Sequence, residues 1–309
     1  MQQVLEVSGL WSRADAWASR GRWVLQNVDA RLSRGITAIV GPNGSGKTAL
    51  IRRLATSQSP ARGCVVFEGR RVDRGGASPV DLRWYRSMLG YMPQSFGVYP
   101  NLSSTQFVQY IGELKCMAGN ELNEAARTSL IDCGLDPDTT APLWRRSEGE
   151  RRRTVLAAAV LGKPRVLLLD EPMTSCDPVE RARIRNMLRN RQLNATCVIS
   201  ASAISDVDSL CDSLLVLDSG RVTFAGRPED LVDLARGSVY TKELCDSALH
   251  ALNRAELVVT SSARQYGGGA IVRALAADAQ NLPGGCDGWR GVEPSLEEAY
   301  LWLRTFDAG

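Results

Sequence analysis

The sequence predicts an α/β fold: a mostly parallel sheet with flanking helices and an antiparallel β part, joined to a helical subdomain over about residues 84–162 and a small C-terminal α+β appendage. Three observations carry this reading. Short apolar β-branched runs alternate with stretches of helical period, the pattern of parallel strands joined by crossover helices. The middle of the chain reads almost wholly in helical period. After Arg227-Pro228 the composition shifts, which divides the chain into a main domain, 1–230, and an accessory domain, 231–309.

From the N-terminus, residues 2–40 alternate apolar and polar positions (Val4, Leu5, Val7; Val24, Leu25, Val28, Leu32) as half-buried strands do, and end in ITAIV, a buried strand. A glycine-rich turn follows at once. TALIRRLA, from Thr48, has helical spacing, and CVVFEGR at 64–70 is a strand ending in a turn. TQFVQYIGELKCM, ELNEAARTSLIDCGL and RRRTVLAAAVLG each suit an amphipathic or buried helix. RVLLLD (165–170) and ATCVIS (195–200) are strands bounded by breakers, and LLVLDSGRVTFAG (214–226) is a hairpin turning at Ser219-Gly220. In the accessory part, a strand-like ELVVTS and a loop with Gly267, Gly268 and Gly269 precede PGGCDGWRG and a last helix, SLEEAYLWLR. Its Leu296, Ala299, Tyr300 and Leu303 form one apolar stripe suited to packing on a sheet.

A chain of 309 residues, 44% hydrophobic and 23% charged with net charge +3, is that of a soluble globular protein, without the charge blocks of a nucleic-acid partner. Lysine occurs only at 47, 115, 163 and 242, so arginine supplies nearly all positive charge. The eight cysteines stand singly with no C-x-x-C spacing, and read as reduced core residues of a cytosolic protein. MQQVLEVSGL lacks the pattern of a signal peptide, and no run approaches the 18 or so apolar residues of a membrane span. Any service to a membrane is expected to run through a partner.

GPNGSGKT at 41–48 fits G-x-x-x-x-G-K-[ST] between a predicted strand and a predicted helix. Gly41, Asn43, Gly44, Ser45 and Gly46 give a loop that wraps closely, so that backbone N–H groups and the helix N-terminus face phosphates. Lys47 is suited to bridging the β- and γ-phosphates and Thr48 to holding Mg²⁺. RVLLLDEP puts Asp170 at the C-terminal edge of a core strand, where open α/β sheets bind ligands. Asp170 would hold the metal, and Glu171 would polarise an attacking water.

These motifs, with YMPQ at 91–94 and TSCDP at 174–178, stand in the order and spacing of ABC transporter ATPases, and residues 1 to about 230 resemble that family. LGYMPQSFGVYPNLSSTQFVQYIGEL, DPVERARIRNML and LDSGRVTFAGRPEDL resemble the subgroup serving ABC-2-type exporters. The resemblance implies a P-loop NTPase core that binds ATP and Mg²⁺ and hydrolyses ATP. Gln94 becomes the hinge glutamine that reaches the metal and reports to the helical subdomain, and Asp177 falls on a loop at the dimer interface. An aromatic, Trp17 or Trp11, would stack on adenine. The implied partners are membrane-spanning transporter subunits and a second ATP-binding subunit, in a homo- or heterodimer, with no nucleic acid. The implied location is cytoplasmic, peripheral on the inner face of the cell membrane, and the implied direction is export.

Two positions depart from the family. Where relatives carry L-S-G-G-Q this chain has RSEGE (146–150), which retains Ser147 and Gly149 but puts Glu148 on a loop that closes on the other subunit's ATP. Ser202 stands where the switch histidine belongs; it can donate to a phosphate oxygen but carries no charge. The only histidine, His250, lies in the accessory part. The expectation is a weak or asymmetric ATPase paired with a different subunit. The alternatives are a catalytically weak regulatory ATP-binding subunit and a non-transport ABC ATPase. The last usually shows tandem cores, coiled coils or metal clusters, and none is visible in the sequence.

Overall fold

Five neighbouring strands that run in parallel fix the architecture. The computed structural model describes residues 4–14, 21–174, 176–190, 194–245, 258–264, 269–277, 282 and 288–306. The chain divides into two compact units, Met1–Ala225 and Gly226–Gly309.

In the first unit, β1 (Leu5–Arg13) pairs antiparallel with β2 (Trp23–Leu32), and β3 (Gly35–Val40) runs into the glycine loop and α1 (Lys47–Leu54). Next come β4 (Arg62–Phe67), β5 (Arg70–Arg71), α2 (Pro79–Ser87) and β6 (Leu89–Met92). The helical region holds α3 (Ser104–Leu114), α4 (Gly119–Asp132) and α5 (Glu148–Val160). The unit closes with β7 (Val166–Leu169), α6 (Pro178–Asn190), β8 (Thr196–Ala201), β9 (Ser213–Asp218) and β10 (Arg221–Gly226).

Two sheets result, in the orders β2-β1-β4-β5 and β10-β9-β3-β8-β7-β6. The first is antiparallel, and the alternation read in residues 4–32 is its half-buried pattern. In the second, β3 pairs in parallel with β8 and β9, and β7 with β6 and β8. All four residues of β7 and all six of β8 are buried, which explains their continuous apolar runs. Leu5, Leu25, Ile39, Leu50, Phe67 and Leu168 lie in one core cluster.

The β9–β10 hairpin turns at Ser219 and Gly220, both at positive φ (47° and 81°), as the tight turn of a twisted hairpin requires. The span 84–162 is not helical throughout: after the end of α2, Leu89–Met92 is the strand β6, held by Val166–Leu169 in register. Four residues are too few to show a period, so pairing with a core strand decides their state. Ser103 caps α3 through a reciprocal pair with Gln106.

The second unit holds α7 (Pro228–Leu234), β11 (Val239–Leu244), β12 (Val258–Arg264), β13 (Ala270–Leu275), β14 (Arg290–Gly291) and α8 (Leu296–Phe306). The strands form one sheet in the order β12-β13-β11-β14. The stripe Leu296, Ala299, Tyr300 and Leu303 is buried. His250, Cys286, Gly267 and Gly268 lie outside the described residues. No helix of the described residues is long and apolar enough to cross a membrane.

Glu298 ties α8 to the sheet. One of its oxygens accepts from Arg273 Nε at 2.7 Å and Thr260 Oγ1 at 2.8 Å, and the other from Arg273 Nη2 at 2.7 Å and Ser295 N at 2.8 Å. Burial pushes the carboxyl up, but Arg273, Ser295 and Thr260 outweigh it and hold the pKa at about 2 instead of 4.5. A depressed carboxyl stabilises the fold above its unfolded pKa and loses that contribution as pH falls toward the folded one. The stability difference between wild type and Glu298→Gln is expected to be widest near neutral pH and to shrink by roughly 3 kcal/mol as pH falls through this window. Denaturation midpoints of the two chains across that range check it; a gap independent of pH contradicts it.

Candidate functional site

Register brings the site together. Met92 pairs with Leu169, Leu169 with Ile199, and Ala38 with Ile199, so β6 and β7 finish together and β8 and β3 finish together two residues further on. Gln94, Asp170 with Glu171, Ser200 with Ser202, and the loop from Gly41 therefore share one edge of the sheet, although up to 161 residues of chain separate Gly41 from Ser202. This is the carboxyl edge at which open α/β sheets bind ligands.

The glycine loop crosses that edge under tight constraint. A Cβ on Gly41 would stand 2.1 Å from the Leu217 carbonyl oxygen. Gly46, at φ 109°, would bring one within 2.8 Å of the Val24 carbonyl oxygen. Both positions exclude any side chain. Helix α1 starts directly after Gly46 with no side-chain cap and no acidic residue in its first turn, so the positive end of its dipole is left uncompensated. Lys47, 5% exposed, donates to the carbonyl oxygens of Gly41 at 2.8 Å and Pro42 at 3.2 Å. Burial draws its ammonium below the ordinary lysine range, and Glu171 and Asp170 pull it back up. Asn43, Gly44, Gly46, Lys47 and Thr48 line a cleft of about 660 Å³, together with Gln94, Glu171 and Ser202.

The carboxylate pair sits at the floor of this edge in two different environments. Asp170 is fully buried; its Oδ1 accepts from Ser200 Oγ at 2.7 Å and Thr48 Oγ1 at 3.1 Å. Its Oδ2 is buried and meets no hydrogen-bond partner among the described residues. Desolvation raises the Asp170 pKa against the opposing bonds from Ser200 and Thr48. Glu171 accepts from Ser202 Oγ at 2.6 Å, Thr174 Oγ1 at 2.9 Å and Gln94 Nε2 at 3.1 Å, with Lys47 Nζ 3.8 Å away. Burial pushes this carboxyl up, but the Ser202 and Thr174 bonds, the Lys47 charge and the Gln94 bond together hold it below the ordinary range. Gln94 Oε1 lies 3.4 Å from Thr48 Oγ1 and Ser202 Oγ 3.4 Å from Asn43 Oδ1, so loop, glutamine and strand ends form one polar network.

Ser147 and Gly149 do not line the cleft. Ser147 is the N-cap of α5: its Oγ accepts from Glu150 N at 3.2 Å, while Ser147 N donates to Glu150 Oε2 at 3.0 Å. Glu150 pairs with Arg146 at 2.7 Å and Glu148 with Arg151 at 3.2 Å. Gly149 lies against the Glu180 carboxylate, which a Cβ would strike at 2.2 Å. Asp177 Oδ1 accepts from Glu180 N at 2.7 Å, the role of a helix cap at the start of α6. Trp17 lies outside the described residues, and Trp11 packs edge-on to Trp23 with ring centroids 5.2 Å apart; neither Trp11 nor Trp23 lines the cleft.

Three contacts escape a reading of motifs. Thr174 bonds Glu171, Arg152 of α5 donates to the Glu171 carbonyl oxygen at 3.2 Å, and Ser200 bridges the pair. A signal for Ser200 exists in the sequence: it is a hydroxyl inside an apolar run, two residues before Ser202 and so on the same strand face.

Comparison with known proteins places this arrangement. The family model described as "ABC transporter" matches residues 25–174. The "Uncharacterized ABC transporter ATP-binding protein YxlF" of Bacillus subtilis is 27% identical over 205 residues, 66% of this chain and 65% of its own length. The "Probable multidrug ABC transporter ATP-binding protein YbhF" of Escherichia coli is 29% identical over 203 residues, 65% of this chain and 34% of that protein. The chain thus spans less than two thirds of either relative. Among solved structures, cbiO1 from Clostridium perfringens, titled as part of the ABC transporter complex cbiONQ, is 26% identical with a TM-score of 0.63, covering 75% of this chain and 92% of that one. Through residues 25–174, which hold the glycine loop and the Asp170–Glu171 pair, the chain is similar to ABC transporter ATP-binding proteins.

Proposed function

We propose that this chain is the ATP-binding subunit of a membrane transporter and that it binds ATP with Mg²⁺ and hydrolyses it. The observation that carries the reading is the meeting of Thr48 and Asp170 at 3.1 Å, which sets a metal-binding pair directly beside Lys47 and Glu171. The donor set suits Mg²⁺: Asp170 offers a buried oxygen without a partner, and Thr48 and Gln94 bring further oxygens to the same place. When bound, Mg²⁺ would neutralise phosphate charge. Lys47 and the uncapped end of α1 hold the phosphates, with Gly44 and Gly46 letting the backbone approach them. Glu171, kept ionised by its surroundings, orients a water, and Gln94 and Ser202 aim its two oxygens. Trp17 remains the proposed adenine contact.

The proposed partners are membrane-spanning subunits, met at the cytoplasmic face, and a second ATP-binding subunit whose nucleotide would face Ser147 and Gly149. The substance moved and its direction belong to the membrane partner. A second reading, a weak regulatory subunit, is favoured by one observation: the N-terminus of α5 is already closed by its own Ser147–Glu150 box and carries Glu148 in its first turn.

Lys47→Ala is expected to weaken binding of a fluorescent ATP analogue about 100-fold or more, since a buried charge contact to phosphate is lost. Glu171→Gln is expected to keep binding and to cut turnover by roughly 100-fold. Turnover unaffected by Glu171→Gln contradicts its assignment as base. Glu148→Gly separates the two readings: a several-fold rise in turnover at unchanged affinity marks Glu148 as a brake on a working ATPase. Recovery of the tagged chain from detergent-extracted membranes together with a polytopic protein checks the transporter role; recovery only as a free soluble ATPase contradicts it.

A further inference from the structure

Glu171 is held in a backbone conformation that its residue type disfavours. Its φ is 50°, in the left-handed region that side-chain-bearing residues rarely occupy. Such a conformation persists only where the surroundings hold it, and two buried groups do so here. Ser200 Oγ accepts the Glu171 N–H at 2.8 Å, and Arg152 donates to the Glu171 carbonyl oxygen at 3.2 Å.

The same Ser200 hydroxyl also donates to Asp170 Oδ1 at 2.7 Å. A hydroxyl has one proton; here it is committed to Asp170, which leaves a lone pair for the Glu171 amide. Ser200 is 1% exposed, so water does not compete for either bond. Thr48 shares the same Asp170 oxygen, so both neighbouring hydroxyls lie on Oδ1 and Oδ2 is the oxygen left open. One side chain thereby fixes which oxygen Asp170 presents and where the Glu171 backbone turns out of the strand.

We propose that Ser200 is a positioning residue for both halves of the site, setting the rotation of the Asp170 carboxylate and the backbone turn that carries Glu171. The inference rests on the reading of Asp170 as metal ligand and Glu171 as base given above. It predicts that removing the hydroxyl harms the metal-dependent steps and spares the phosphate loop, whose Lys47 and glycines share no hydrogen bond with Ser200 among the described residues.

The test uses the full chain as wild type, Ser200→Ala, Ser200→Thr and, as a control for losing a buried hydroxyl elsewhere, Thr154→Ala in α5. Affinity for a fluorescent ATP analogue is measured in EDTA and across a Mg²⁺ titration, with kcat and KM alongside. Ser200→Ala is expected to leave affinity in EDTA within about twofold, while the Mg²⁺ needed for half-maximal effect rises and kcat falls by about 10-fold or more, as for other partners of metal ligands. Ser200→Thr is expected to restore much of both, and Thr154→Ala to change neither beyond its effect on melting temperature. If Ser200→Ala is insoluble, Ser200→Cys, a far weaker donor of similar size, is read in the same way. The proposal is overturned if the Mg²⁺ requirement and kcat match wild type, or if affinity in EDTA falls as far as affinity in Mg²⁺, which marks a general packing defect. A wild-type chain that binds no ATP analogue overturns the reading of the site itself, and this inference with it.

Discussion

A carboxylate with no exposed surface, Asp170, stands where β7 ends in the first unit. Taking Asp170 out of water favours its neutral form, and the cost of keeping it ionised is met only in part by two hydroxyls on one oxygen. The other oxygen is buried and idle. A fold tolerates such a group where a cation completes it, and the rest of the unit is arranged so that this can happen. Thr48 reaches Asp170 because β3, β8 and β7 are parallel and in register, and because Gly41 and Gly46 let the loop turn where any side chain would collide with backbone carbonyls. Loss of either glycine moves Thr48, and the buried charge then loses a partner it cannot replace with water.

Much of this was legible in the sequence because it is written in short-range patterns. ITAIV, RVLLLD and ATCVIS are apolar without interruption since both faces of β3, β7 and β8 are covered, and the hairpin at Ser219-Gly220 follows from residues that accept positive φ. The phosphate loop and the Asp170–Glu171 pair were legible for the same reason: each is a contiguous string whose chemistry fixes its residue types. β6 was not, because Leu89–Met92 is too short to show a period and is a strand only through its pairing with β7. The roles of Ser200 and Arg152 were not, because each acts on a neighbour that only tertiary packing supplies, whereas Thr174 lies three residues from Glu171 and its bond depends on the local turn. Trp17 lies outside the described residues, and the identity of the base-stacking aromatic stays with the sequence reading.

Glu171 shows how the same edge gives two carboxylates different tasks. Asp170 is buried and pushed toward protonation, whereas Glu171 is surrounded by Ser202, Thr174, Gln94 and Lys47 and is held ionised. One environment suits a ligand whose charge is matched by a metal, the other a base that must be charged before it acts. Ser202, read in the sequence as standing at the switch-histidine position, reaches Glu171 at 2.6 Å. Its hydroxyl orients Glu171 but carries no charge with which to attract a phosphate.

Two helix N-termini of the first unit, those of α1 and α5, make the division of labour concrete. That of α1 has no side-chain cap and no acid in its first turn, and the cleft lies over it. That of α5 is closed by a reciprocal Ser147–Glu150 pair, with Glu148 beside it and Arg146 and Arg151 neutralising both acids. A serine cap contributes about 1 kcal/mol, and a carboxylate in the first turn adds a few tenths more by meeting the dipole. A phosphate arriving at α5 would have to displace these contacts and face the acids, whereas one arriving at α1 completes what is missing. The asymmetry is therefore built into a single chain. The N-terminus of α1 is prepared to receive an anion, and that of α5 is already occupied by its own side chains.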